Sequence, residues 1–162
     1  MTVKTIETSV EVEAPVRAVY NQWTQFEEFP KFMEGVERVE QKDDQTLHWV
    51  AEIGGQRREW DAKITEQKPD DRVAWCSTEG TTNSGVVTFH RLGDDKTKAM
   101  LQLEIEPEGF AENVGAFLGV IERRAEGDLQ RFKEFLEARG GQPTGEWRGT
   151  IEGRETEPPV NF

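Results

Sequence analysis

The sequence predicts an α+β fold: a curved antiparallel sheet of about seven strands wrapped around one long C-terminal helix, with two short helices after the first strand. Three observations predict it. Apolar and polar residues alternate over residues 3–13. The same period of two returns, broken by turn residues, from Gly35 to about Glu106. After Pro107 the spacing becomes that of a helix and holds until Gly140-Gly141. The 162 residues fit one domain with a sizeable core.

The elements follow in order. Ile6, Thr8, Val10 and Val12 share one side of the first strand, and Glu7, Ser9, Glu11 and Glu13 the other, as in a half-buried strand. Ala14-Pro15 ends it, and Pro15 suits the first turn of a helix. Val16, Val19, Tyr20 and Trp23 then fall at helical spacing. Phe26, Phe29, Phe32 and Met33 predict a second helix, kept short by Pro30; they either cap the core or form a lid over a pocket mouth. Five or six strands fit next, separated by Asp43-Asp44, Gly54-Gly55, Pro69-Asp70-Asp71, Gly80 to Gly85 and Gly93-Asp94-Asp95. Near Val36 and Val39 the alternation is poor and leaves the register open.

Phe110, Val114, Phe117, Leu118, Ile121, Ala125, Leu129, Phe132 and Leu136 form one apolar stripe, opposite Glu112, Glu122, Arg123, Glu126, Arg131 and Lys133. That predicts a helix of about 30 residues. Gly115, Gly119 and Gly127 interrupt it at a cost of ~1 kcal/mol each. Close packing on the sheet is the expected reason, flexibility at a ligand entrance the alternative. Residues 1–139 are read as the domain, and the Gly- and Pro-rich residues 140–162 as a flexible tail in which Trp147 is a candidate to dock back.

Charge excludes some functions. Lys and Arg number 20 against 32 Asp and Glu, a net −12 with a pI near 4.7. Such a surface repels phosphate backbones and anionic lipid, so nucleic acid is not an expected partner. Mean hydropathy is −0.74, which leans toward disorder, but nine Phe, five Trp and one Tyr in ordered patterns argue for a core. The one cysteine, Cys76, excludes an internal disulfide and a multi-cysteine metal site. The N-terminus lacks a signal-like apolar stretch, and the longest apolar run falls far short of the ~18 residues of a membrane span. The expectation is a cytoplasmic protein without stable membrane insertion.

Hairpin arithmetic describes the interior. Gly54-Gly55 as a two-residue turn sets Ile53 opposite Gln56, Ala51 opposite Arg58, Trp49 opposite Trp60 and Leu47 opposite Ala62. The next turns place Ala62 opposite Trp75, Trp60 opposite Ser77, Arg58 opposite Glu79, and Trp75 opposite Phe89. Ala99, Leu101, Leu103 and Ile105 join the same face. Large residues (Trp49, Trp60, Trp75, Phe89) thus alternate with small ones (Ala51, Ala62, Ser77, Gly85, Ala99). Either the long helix fills the gaps, or the sheet curves and leaves a cavity. Arg58 and Glu79 are either an ion pair at the open end of the sheet or a polar anchor for a ligand.

The order of elements resembles the helix-grip fold of the START and pollen-allergen superfamily. The stretches VEAPVRAVYNQWTQFEEFPKFMEGVERVEQ, LHWVAEIGG, REWDAKITEQKPDDRVAW, GVVTFH and EPEGF resemble the bacterial polyketide cyclase/dehydrase branch of this SRPBCC, or START-like, superfamily, which is grouped with coenzyme-Q-binding START-domain proteins. The resemblance covers about residues 3–139. It implies a hydrophobic ligand between sheet and long helix, and a role as lipid or quinone carrier or as polyketide aromatase/cyclase.

Candidates for chemistry are few. His48 and His90 fall on the outer face by parity, and neither has an acid at helical spacing for a metal site; no metal and no cofactor are expected. Cys76 also points outward, near Thr88, without a histidine opposite. No nucleophile elbow, phosphate loop or dinucleotide fingerprint occurs. The proton-handling candidates are Arg58, Ser77 and Tyr20, and Glu27-Glu28 reads as a solvated face. The leading expectation is a non-catalytic protein that binds a small hydrophobic or aromatic ligand through Trp49, Arg58, Trp60, Trp75, Glu79, Phe89, Leu103, Phe117 and Ile121. The alternatives are a cyclase, aromatase or dehydratase using the same cavity, and an interaction or stress-related domain with a filled core.

Overall fold

The strand-forming alternation of the first residues becomes β1, Lys4–Val12. Pro15, held extended, caps helix α1, Val16–Trp23, and a 3-10 helix, Phe26–Lys31, follows with Pro30 inside it. Six strands come next: β2 (Val36–Gln41), β3 (Thr46–Ile53), β4 (Gln56–Lys68), β5 (Arg72–Ser77), β6 (Asn83–Gly93) and β7 (Lys96–Ile105). Helix α2 spans Val114–Ala138. The computed structural model describes residues 4–53, 55–78, 83–105 and 114–152, and their side chains except those of residues 53, 83 and 114–117. Glu79 and the Phe117 side chain, both expected at the ligand, lie outside the described residues.

The seven strands form one antiparallel sheet in the order β1-β7-β6-β5-β4-β3-β2. This is the expected curved-sheet, helix-grip architecture. The apolar face of the sheet, α1, the Phe-rich 3-10 helix and α2 share one core, which includes Val12, Tyr20, Trp23, Phe29, Leu47, Ile64, Leu129, Phe132 and Leu136. Aromatic edges knit it together: Trp23 meets Phe29 and Phe132 at 5.2 and 5.3 Å between centroids, and Phe32 meets Phe132 at 5.3 Å.

Register follows the sequence in one hairpin and departs from it in the next. β3 and β4 pair as expected, Trp49 with Trp60 and Ala51 with Arg58. From β4 to β5 the expected pairs are replaced by Ala62 with Ser77, Ile64 with Trp75 and Gln67 with Val73. Two devices cause this. A bulge between Ile64 and Glu66 adds a residue to β4. The turn is tight, Lys68 pairing with Arg72, with Asp70 at a left-handed φ of 64°. The next pair also differs: Trp75 faces Gly85 instead of Phe89, and Cys76 faces Ser84 instead of lying near Thr88. Gly85 is needed there, since a Cβ would lie 2.6 Å from the Trp75 ring and 2.9 Å from Leu103. A further bulge, between Val36 and Arg38, explains the poor alternation of β2: Val36 pairs with Ala51 and Val39 with Trp49.

Residues 140–152 are corrected from a flexible tail to a strap docked on the domain. Thr144 N–H donates to Gln22 Oε1 at 2.8 Å, and Gln22 Nε2 donates to Thr144 Oγ1 at 3.0 Å. Arg148 donates to Asn21 Oδ1 at 2.6 Å and pairs with Asp70 at 2.8 Å. Ile151 is buried and exchanges both backbone hydrogen bonds with Gln67. The physical reason is polar satisfaction. Asn21 and Gln22 are buried, and their side-chain amides find their partners in this segment.

The helix glycines also differ from expectation. The nearest atoms to a Cβ at Gly119 or Gly127 would be arginine side chains of the same helix, those of Arg123 and Arg131. Close packing on strands does not explain these two positions.

Candidate functional site

The mixture of indoles and small residues on the inner face leaves a cavity of about 170 Å³ between sheet, 3-10 helix and α2. The core is therefore not solidly filled. Alternation on β3, β4 and β5 delivers Trp49, Trp60 and Trp75 to its wall, with Ala51 and Ile64 between them. Trp49 and Trp60 stack across the strand pair, 5.8 Å apart and 4° from parallel. Trp23, Phe26, Phe29 and Met33 close it from the helical side, Leu103 and Ile105 from β7, and Ile121, Ala125 and Leu129 from α2. Phe26 and Phe29 both cap the core and border the cavity, while Phe32 packs on Phe132 and Phe135.

One corner is polar, formed by Glu34, Arg124 and Asp128. Asp128 Oδ1 accepts from Glu34 N–H at 2.9 Å and from Arg131 at 2.6 Å. Arg131 also donates to Phe32 O at 2.8 Å. Arg124 donates to the Glu52 carbonyl at the end of β3. These bonds tie α2 to the 3-10 helix, to the turn before β2 and to β3. Gly35 makes the close approach feasible: its φ is +85°, and a Cβ would lie 2.7 Å from the Arg124 guanidinium and 2.8 Å from Glu52 O. Burial pushes the Asp128 carboxyl up to about 6, against the lowering effects of Glu34 N–H, Arg131 and Arg124.

The expected site residues divide. Trp49, Trp60, Trp75, Leu103 and Ile121 come together on the cavity wall. Phe89 does not; it is buried against the edge of Tyr20, 5.5 Å between centroids. Arg58 is on the inner face by register but bonds Gln56 Oε1 at 2.9 Å and is not on the wall. Ser77 pairs with Ala62, away from the wall. Tyr20 is fully buried under the Arg148 guanidinium, and burial raises its phenol above the ordinary range. The expected proton-handling set thus does not assemble at the cavity.

Sequence reasoning missed Glu34, Arg124 and Asp128. The signal was present. Arg124 and Asp128 stand four apart and flank Ile121, Ala125 and Leu129, so they sit beside the buried stripe rather than opposite it.

The histidines lie outward as expected. His48 Nδ1 contacts Asp61 at 2.7 Å and Nε2 contacts Glu59 at 3.1 Å; these hydrogen bonds raise the imidazole pKa. His90 bonds Thr88. Among the described residues no His, Cys, Asp and Glu group fits a metal, and no helix is long and apolar enough to cross a membrane.

Comparison with known proteins places this geometry. A family described as polyketide cyclase / dehydrase and lipid transport matches residues 12–134. An uncharacterized 17.2 kDa protein of Streptomyces lincolnensis is 55% identical over 147 residues, covering 90% of this chain and 97% of its own. The Zhui aromatase/cyclase from Streptomyces sp. R1128 superposes with a TM-score of 0.74 at 18% identity, over 86% of this chain and 96% of its own. A START superfamily protein from Mycobacterium smegmatis gives a TM-score of 0.64 at 17% identity, over 83% and 95%. These last two likenesses carry the fold, and the family match carries the assignment: the chain belongs to the polyketide cyclase/dehydrase and lipid transport family.

Proposed function

We propose that this protein binds a small hydrophobic or aromatic molecule in the cavity between sheet and α2. The supporting observation is the cavity wall itself: four tryptophans and two phenylalanines around about 170 Å³, with charged groups at one corner. Apolar cavities of ~150 Å³ stay dry and take up benzene-sized guests. That scale suits one or two fused rings, and flat ligands gain from stacking on indole faces.

Naphthalene is the test probe. In nitrogen–proton NMR spectra the indole signals of Trp23, Trp49, Trp60 and Trp75 should shift saturably, and that of Trp147 on the strap should stay. Ala125→Phe, which fills the cavity from α2, should abolish the shifts while preserving the folded spectrum. No saturable shift, or shifts unchanged by the filled variant, would remove the reading.

A second reading, a cyclase- or dehydratase-like enzyme, is favoured by one observation. Asp128 borders the cavity with a carboxyl held near 6, where proton exchange is feasible at neutral pH.

A further inference from the structure

The polar corner says what a guest must carry, given the binding reading above, on which this inference rests. The two Asp128 oxygens are not equivalent. Oδ1 is occupied by two donors, Glu34 N–H and Arg131. Oδ2 receives no donor from the described residues and is not among the buried orphan atoms; the side chain lines the cavity and is 13% exposed. An acceptor is thus left open beside apolar walls.

The nearby charges cancel. Glu34 and Asp128 face Arg124 and Arg131, and both arginines are already committed, one to Glu52 O and the other to Phe32 O and Asp128. A ligand carboxylate meets two acids, Glu34 and Asp128, beside the arginines that already balance them. A ligand ammonium finds acids already offset, and pays for leaving water. A neutral O–H loses little on entry and gains a hydrogen bond to an ionised acceptor.

We propose that the cavity selects a neutral one- or two-ring aromatic molecule bearing a hydroxyl, whose O–H donates to Asp128 Oδ2. The phenol end sits at the junction of α2 and the turn before β2, and the rings lie against the indoles. The anchor is an acceptor on the helix, in place of the donor expected at Arg58 on the sheet.

Four probes of one shape test this: naphthalene, 2-naphthol, 2-naphthoate and 2-naphthylmethylammonium, titrated at pH 7.5 by calorimetry or NMR. 2-Naphthol should bind about tenfold tighter than naphthalene, the scale of one hydrogen bond to a charged group. The two ions should bind more weakly than 2-naphthol. Asp128→Asn should shrink the advantage of naphthol over naphthalene to under threefold. Equal binding of naphthol and naphthalene by the wild type would overturn the hydroxyl anchor while leaving the binding reading intact. Tightest binding of either ion would overturn it too. If no probe binds, the binding reading falls and takes the anchor with it. The wild-type ranking decides even where the variant fails to fold.

Discussion

The two halves of α2 do different work on one apolar stripe. In the C-terminal half, Leu129, Phe132 and Leu136 are at most 1% exposed, and Phe132 meets both Trp23 and Phe32 edge-on. In the N-terminal half, Ile121 and Ala125 border empty space, flanked by Arg124 and, just past the midpoint, by Asp128. The periodicity is the same in both. What differs is the opposite wall: α1 and the Phe-rich helix press rings against the C-terminal half, while the inner face of β3–β5, where small residues such as Ala51 stand among the indoles, leaves room under the other. A single helix thus serves as anchor at one end and as cavity wall at the other.

Paired truncations test this contrast most strongly. Phe132→Ala should cost about 3–5 kcal/mol of unfolding free energy. Ile121→Ala should cost about 2 kcal/mol, near the low end for such a change, because one side of Ile121 already lacks packing partners. Chemical denaturation gives both values, and equal losses would erase the distinction between the halves.

The next effect is electrostatic. Burial raises Asp128 to about 6, so the folded protein holds that proton more tightly than the unfolded chain. Ionising it therefore costs stability. The cost is absent below the ordinary carboxylate range, grows through the interval up to about 6, and is complete above it, with an upper bound of about 3 kcal/mol. Asp128→Asn removes that cost. Its Tm relative to wild type should rise between about pH 4 and about pH 7. A flat difference would show that the cavity corner is as wet as any surface.

The smallest effect concerns Gly119. Its Cβ position is open except for Arg123 at 3.5 Å, so Gly119→Ala should stabilise by about 0.5–1 kcal/mol. A loss of stability would mean that this end of the helix is packed as tightly as the other.

The sequence made much of this legible, and the failures have physical causes. The β3–β4 hairpin was readable because Gly54-Gly55 permits few turn geometries, and each geometry dictates a pairing. The β4–β5 register was not, because the bulge near Thr65 leaves no mark on alternation over so short a span. Face assignment survived, since the net slip was an even number of residues, and so Trp49, Trp60 and Trp75 were placed together from parity alone. The polar corner was hidden for another reason. Helical periodicity separates faces in steps of 100°, so residues at the margin of a stripe, such as Arg124 and Asp128, are assigned to solvent by default. Their role depends on Gly35 and Glu34, some ninety positions away, and no local pattern connects them.

The strap carries a consequence for how the molecule is made. The side-chain amides of Asn21 and Gln22, early in the chain, are completed by Thr144, Glu146 and Arg148. Synthesis runs from the N-terminus, so these contacts of α1 form only after the segment carrying Thr144, Glu146 and Arg148 has been translated. Closure of the fold at α1 is thereby tied to a segment more than 120 positions downstream.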